Sequence, residues 1–176
     1  MKLYEALGIA PTLALDMEEV KKHFYERSRQ WHPDRYSRAS AAEQDQALEM
    51  TAVLNDAFRT LRDPIARAEY FLTERGVELS KDAPPELLEE IFELNMALEE
   101  LREGDESARG QLSEAATKFQ AMLSVSDTEL NALFAQHDAS PEPSTLDQIR
   151  ATLNRRRYVA NLVRDVEKEL HVHSAN

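Results

Sequence analysis

Hydrophobic residues recur every three or four positions along most of this chain, which is the spacing of one face of an α-helix. In the N-terminal part the pattern predicts four helices. The first is short and ends at Gly8, the second lies between Asp16 and His32, the third starts at Ser40, and the fourth ends at Gly76. The second and third helices are long and amphipathic, so we expect them to pack against each other as an antiparallel helical hairpin.

Local signals mark where these helices begin and end. Asp16 and Ser40 are each followed three positions later by a glutamate, which is the spacing of a capping box. Pro64 follows an aspartate, and proline is favoured in the first turn of a helix because that turn does not need its N–H. Pro33 disfavours helical geometry at the residue before it, so residues 32–40 are expected to form a loop.

The second helix is predicted to have an inward and an outward face. Its inward stripe is expected to contain Val20, Phe24 and Trp31, with Tyr25 and Ser28 beside them. The basic residues of this helix fall mainly off that stripe, where their charges can stay in water.

In the C-terminal half the same spacing predicts three long helices. The first runs to Gly104, a second starts near residue 106, and the third starts near Ser144 after two prolines. Whether residues 106–136 form one helix or two stays open, because a serine and a glutamate within this stretch have the spacing that could start a new helix. Three long helices with short connections pack most simply as an antiparallel bundle.

The composition supports an all-α fold. The 176 residues include only 4 glycines and no run rich in valine, isoleucine or threonine, whereas alanine, leucine, glutamate and arginine abound. A chain of this length can bury one good core or two small ones. We predict an N-terminal domain over residues 1–76, a linker over 77–85 and a three-helix bundle over 86–176.

Charge and residue usage exclude several classes of function. The net charge is −12, and its acidic excess lies in the middle third of the chain, which would repel nucleic acid and anionic lipid but suit a basic protein. With no cysteine there are no disulfides and no thiolate metal ligands. No apolar run is long enough to span a bilayer, and no signal peptide is evident, so the simplest location is the cytosol.

The tripeptide His32-Pro33-Asp34 lies at the predicted corner between the second and third helices. Proline restricts the loop, so little conformational entropy is lost when a partner binds it. The Asp34 carboxylate suits a bidentate arginine, and His32 can donate a hydrogen bond across an interface. The alternative is a purely structural helix stop with a capping aspartate, and the setting favours docking.

Basic side chains cluster around this corner and indicate an electrostatic docking surface. They are Lys21, Lys22, Arg27, Arg29 and Arg35. Such charges mainly raise the rate of association with an acidic partner and make it sensitive to salt. The alternative is a solvated helix face whose charges pair with neighbours along the helix.

These motifs resemble those of a J domain, the module that stimulates the ATPase of DnaK-type chaperones. The resemblance rests on the runs WHPDR at 31–35, LNDAF at 54–58 and LRDP at 61–64. The run RAEYFL at 67–72 makes the resemblance more specific, because this run is similar to the end of the J domain in HscB-type co-chaperones of iron–sulfur cluster assembly. In that family a three-helix bundle follows the J domain, and the order and length agree here.

The resemblance implies a protein with two binding sites and no catalytic one. The corner and its basic residues are expected to bind a DnaK/HscA-type chaperone, and the bundle is expected to bind an IscU-type scaffold protein through Leu88, Phe92, Glu93 and Tyr158. Phe92 directly follows Ile91, and two adjacent bulky apolar residues cannot both face one helix stripe. Two positions depart from the family: Glu89 stands where an apolar residue is common, and Met96 where an acid is common.

The resemblance also implies a bacterial form located in the cytoplasm, because the cysteine-rich extension and targeting peptide of eukaryotic forms are absent. No cofactor or metal is expected, since His171 and His173 have no cysteine or carboxylate to support them. The main alternative is a J-domain adaptor for a different client protein. An enzyme is disfavoured because the tripeptide lies on a corner rather than in a walled pocket, and a nucleic-acid binder is disfavoured by the acidity.

Overall fold

The computed structural model describes residues 2–172, and over these residues the chain is helical with no strand. Seven α-helices follow one another: α1 (Lys2–Leu7), α2 (Met17–Gln30), α3 (Ala41–Arg62), α4 (Pro64–Thr73), α5 (Leu88–Arg102), α6 (Ala108–Ala139) and α7 (Pro143–Val172). Single 3₁₀ turns lie at Pro33–Tyr36 and Pro85–Leu87. The prediction of an all-α fold is confirmed. None of these helices is both long and apolar enough to cross a lipid bilayer.

The chain divides into two compact units. The first contains Met1–Glu78 together with Phe134–Glu142, and the second contains Leu79–Leu133 together with Pro143–Asn176. The last residues of α6 therefore belong to the first unit, a grouping that the hydrophobic pattern did not predict.

The first unit is organised around α3, which packs against α1, α2 and α4. Its fully buried side chains come from all parts of the unit and include Tyr4, Leu7, Leu54, Leu61 and Phe71. Helices α2 and α3 are joined by stacking of Phe24 on Phe58, whose ring centroids are 4.4 Å apart. Stacked aromatic pairs of this kind stabilise a contact beyond the area they bury.

Two of the predicted helix starts are formed as expected. At α3, Glu43 N donates to Ser40 Oγ at 3.4 Å and Ser40 N donates to Glu43 Oε2 at 2.8 Å, which completes the capping box. At α4, Asp63 Oδ1 accepts from Ile65 N at 2.8 Å and from Ala66 N at 3.0 Å, directly before Pro64. The backbone N–H groups at these ends therefore have acceptors, as helix termini require.

The start of α2 is capped differently. Asp16 is the N-cap, and its Oδ1 accepts from Glu18 N at 2.9 Å. The carboxylate of Glu19, which the capping-box spacing assigned to the backbone, lies 3.9 Å from Lys22 Nζ. Charge pairing along the helix surface competes with the cap for this side chain.

The loop between α1 and α2 is held by a side chain from the end of α6. The Asp138 carboxylate accepts from Leu13 N, 3.0 Å from each oxygen, and from Ala14 N at 2.7 Å. A carboxylate that accepts from backbone N–H groups forms stronger hydrogen bonds than a neutral acceptor does. This one side chain orders the entry to α2.

An aromatic contact lies beside this carboxylate. The buried His137 ring packs edge-on against Phe71, with centroids 5.3 Å apart and planes at 87°. The guanidinium carbon of Arg75 is 3.5 Å from the centroid of the same Phe71 ring. Phe134 is also buried, so the end of α6 adds apolar as well as polar contacts to the first unit.

The second unit is a bundle of α5, α6 and α7 around one core. Its buried residues include Leu94, Leu98 and Leu101 from α5, Leu112 and Phe119 from α6, and Val159, Val163 and Val166 from α7. Helix α6 is continuous, which answers the question left open for residues 106–136. Ser126 is buried inside this helix, and Glu129 pairs with Arg155 of α7, so neither restarts it.

We predict that Asp138→Ala destabilises the first unit. The Leu13 and Ala14 N–H groups would lose their acceptor, and the free energy of unfolding should fall by about 1–2 kcal/mol. Hydrogen exchange at these two amides should accelerate, which NMR can measure alongside urea unfolding. Asp147→Ala is the control, because this exposed carboxylate forms a surface pair with Arg150 at 3.6 Å. Unchanged exchange at Leu13 and Ala14 would contradict the role of Asp138.

Candidate functional site

The His-Pro-Asp tripeptide forms a solvent-facing corner. Residues Pro33–Tyr36 form a 3₁₀ turn, so the predicted loop is partly helical. The reason is local: Pro33 has a backbone angle suited to the first position of a helix, and His32 caps the turn with Nδ1 accepting from Asp34 N at 3.3 Å. Side-chain exposure is 59 % for His32 and 92 % for Asp34.

The cap determines what the corner can offer to a partner. Because Nδ1 of His32 accepts a hydrogen bond, the neutral ring carries its proton on Nε2, from which it can donate. The Asp34 carboxylate has Oδ2 at 3.7 Å from His32 Nδ1 and is otherwise in water. The corner therefore presents one hydrogen-bond donor and one anionic acceptor two residues apart.

Aromatic stacking and backbone contacts brace the corner. Trp31 and Tyr36 stack almost parallel, with ring centroids 5.9 Å apart and planes at 6°. Arg35 Nη1 donates to Arg29 O at 3.4 Å, and Thr51 Oγ1 of α3 donates to Trp31 O at 3.3 Å. The turn is thus attached both to the end of α2 and to α3.

The predicted basic residues do not form one uniform surface. Lys21, Lys22 and Arg29 are exposed on α2. Lys21 pairs with a glutamate at 2.8 Å, and that hydrogen bond raises the pKa of its ammonium group. Arg27 is half-buried, with its guanidinium against Gly8, where an added Cβ would lie 2.6 Å from Arg27 Nη2. Arg27 is therefore packed on the α1 turn rather than extended into solvent.

Tyr25 corrects the predicted inward face of α2. It was expected beside the apolar stripe, but its side chain is 61 % exposed. Tyr25 lies four positions after Lys21 and four before Arg29, so helical geometry puts its side chain on the basic face. That spacing is visible in the sequence and is the signal that indicates an exposed position for Tyr25.

A second exposed apolar surface lies on α5. Leu88 and Phe92 are exposed, the latter by 66 %, whereas the neighbouring Ile91 packs against the core. Glu93 is exposed beside them. Met96, which the sequence did not assign to a site, is 50 % exposed and extends the row by one helical turn. We call Leu88, Phe92 and Met96 the α5 ridge.

Tyr158, the fourth residue predicted for this site, has a structural partner in the second unit. It belongs to a group of α7 side chains that donate to the backbone carbonyls of residues 80–82. The hydrogen bonds are Arg157 Nη2 to Ser80 O at 2.8 Å, Tyr158 Oη to Lys81 O at 2.7 Å, and Asn154 Nδ2 to Asp82 O at 2.9 Å. Tyr158 is half-buried against the core of the bundle.

Among the described residues, no group of three or more histidine and acidic side chains is arranged to hold a metal ion. His171 Nδ1 lies 2.7 Å from Glu167 O, and His173 is outside the described residues.

Two family models match the chain in sequence order. A "DnaJ domain" model matches residues 2–70, and a model described as "HSCB C-terminal oligomerisation domain" matches residues 83–167. A curated relative from Vibrio vulnificus strain YJ016, "Co-chaperone protein HscB homolog", is 28% identical over 95% of both chains. A relative of the same name from Neisseria meningitidis serogroup C is 38% identical over 56% of this chain and 61% of its own.

Solved structures agree with these matches. "Chaperone HscB from Vibrio cholerae" is 29% identical, covers 96% of each chain and superposes with a TM-score of 0.68. The human co-chaperone HscB is 22% identical, covers 96% of this chain and 82% of its own, and has a TM-score of 0.71, which supports the fold alone.

We predict that Tyr158→Phe loosens the segment that precedes α5. Lys81 O would lose its donor, so the free energy of unfolding should fall by about 1 kcal/mol. Trypsin should also cleave faster after Lys81, which mass spectrometry of a limited digest can measure. Cleavage after Arg75, which lies in the first unit, is the internal control. An unchanged rate at Lys81 would show that the hydroxyl does not hold this segment.

Proposed function

Because the chain belongs to the HscB-type J-domain co-chaperones, we propose that it stimulates the ATPase of a DnaK/HscA-type chaperone and delivers an IscU-type iron–sulfur scaffold protein to it. Proteins of this class act on an Hsp70-type chaperone and are not enzymes in themselves. In this proposal residues 1–76 are the J domain, 77–85 the linker, and 86–176 the scaffold-binding bundle, of which Phe134–Glu142 group with the first unit. The bacterial relatives support a bacterial cytoplasmic location.

The observation that carries the chaperone-binding role is the exposed, braced corner at residues 32–34. Its turn is already formed, so binding would immobilise few additional backbone angles. Asp34 would pair with an arginine of the chaperone, and His32 Nε2 would donate across the interface. Pro33 would hold the two side chains at their spacing through its fixed backbone angle.

The basic face of α2 would guide the chaperone to this corner. Lys21, Lys22 and Arg29 are exposed, and charges of this kind raise the association rate with an acidic surface. Tyr25 lies among them and would add an aromatic contact, a residue type enriched at the centres of interfaces. Arg27 would contribute less, since its guanidinium already lies against Gly8, whereas Arg35 is exposed at the corner itself.

The α5 ridge supports the scaffold-binding role. Exposed apolar rows bordered by charged residues are typical of surfaces that bind proteins. Glu93 would form part of the charged border. Tyr158 would act mainly by holding the segment that leads into α5, given its hydrogen bond to Lys81 O. Carrying two binding sites on one chain would raise the concentration of the client near the chaperone.

A different client is the second candidate. It is favoured by the two departures from the family pattern on α5, where Glu89 replaces an apolar residue and Met96 replaces an acid. Such changes alter which surface fits best without affecting the chaperone-binding corner.

We predict that His32→Gln removes ATPase stimulation. The variant loses the cap of the 3₁₀ turn and the Nε2 donor, so stimulation in a single-turnover assay with a purified DnaK/HscA-type chaperone should fall by about tenfold or more, a loss of at least about 1.4 kcal/mol. Thr73→Ala is the matched control, because Thr73 is an exposed residue of α4 in the same unit. Full stimulation by the His32 variant would rule out the docking role.

We predict that Phe92→Ala weakens binding of the scaffold protein. Truncating a central apolar contact typically raises Kd by about tenfold or more, which isothermal titration calorimetry can measure. Val125→Ala is the control, since Val125 on α6 is exposed to a similar degree. If wild type binds no scaffold at low micromolar concentration yet still stimulates the chaperone, the different-client alternative is favoured.

A further inference from the structure

A groove of about 360 Å³ lies between α5 and α6 in the second unit. Its floor is apolar and is formed by Leu94, Ala97, Ala115 and Phe119. Its rim is polar and is formed by Glu90, Glu93, Gln111, Glu114 and Lys118. The groove therefore combines a small apolar bed with a rim that can form ion pairs.

The rim has an excess of negative charge. Lys118 Nζ lies 3.4 Å from Glu90 Oε1, so the ammonium is balanced by a carboxylate of the rim itself. Glu93 and Glu114 add two exposed carboxylates. A partner that fills the groove must bring positive charge to both sides of an apolar group.

The groove adjoins the α5 ridge without overlapping it. At 100° per residue, Leu88, Phe92 and Met96 lie on the side of α5 opposite its buried residues. Glu93 lies about a quarter-turn further around the helix, between the ridge and the groove. A protein that covers the ridge and extends across the acidic row would reach the groove next.

We propose that the α5–α6 groove is a second contact site for the client protein, and that it accepts an apolar side chain flanked by lysine or arginine. This inference rests on the proposed function and specifies the chemistry of the client surface. Charge complementarity selects the occupant, because a second copy of this acidic surface would place carboxylates against carboxylates.

The test fills the groove and reverses its charge. Ala115→Trp places an indole in the groove, and Glu114→Lys puts a cation on its rim. Calorimetry with the IscU-type scaffold protein should give a Kd about tenfold weaker for the first and about fivefold weaker for the second, with the second effect reduced at high salt. Ala121→Trp is the matched control, since Ala121 lies on the exposed face of α6.

Folding is checked separately by far-UV circular dichroism and thermal unfolding. Gln111→Trp repeats the blocking test from the rim, at an exposed position that is not part of the core. If wild type and Phe92→Ala differ in scaffold binding while all three groove variants stay within about twofold of wild type, the groove proposal is wrong and the proposed function stands.

A second probe does not depend on the scaffold. A pentapeptide with a central leucine between two pairs of lysines is titrated into the isotopically labelled full chain. Saturable NMR shifts should appear at Ala97 and Ala115, and Ala115→Trp should abolish the shift at Ala97. A matched peptide with glutamates in place of lysines should cause none. If wild type does not bind the scaffold, the proposed function fails. Absence of saturable shifts with the lysine peptide, or equal shifts with the glutamate peptide, overturns the groove proposal by itself.

Discussion

The hydrogen bond from Asp34 N to His32 Nδ1 closes a turn that Pro33 has already restricted, and the candidate docking role depends on this small constraint. Without the cap, the chain between α2 and α3 would sample many backbone conformations, and each would present the histidine and aspartate differently. Stacking of Trp31 on Tyr36 attaches the turn to the helix before it. The hairpin thus supports a rigid corner whose two polar side chains remain in water.

Each unit carries an exposed aromatic residue beside charged side chains. Tyr25 lies among lysines and an arginine on α2, whereas Phe92 lies next to glutamates on α5. Exposed aromatic rings are costly in water unless a partner covers them, and the surrounding charge determines which partner approaches. Opposite charge on the two surfaces would keep an acidic chaperone and a basic client from competing for one site.

The features that the sequence predicts best depend on residues within one or two helical turns. The Ser40 capping box and the start of α4 were predicted because every group involved lies within a few positions. Asp138 and Leu13 are 125 positions apart, so no local pattern could join them. Ser126 is a residue type that is common at helix starts, but its burial in the bundle keeps α6 continuous. Tyr25 was misplaced because an aromatic residue beside an apolar stripe is more often buried.

Helix α5 carries both core residues and the exposed ridge that we propose as a binding surface. Its buried side, which includes Leu94 and Leu101, is held by α6 and α7. Its opposite side carries Phe92 and Met96, whose positions follow from the same rigid backbone. A surface on a packed helix loses little conformational freedom when a partner binds, unlike one on a loop. The hydrogen bonds from α7 to residues 80–82 extend this order to the segment before α5, so in the proposed function Tyr158 would influence client binding without touching the client.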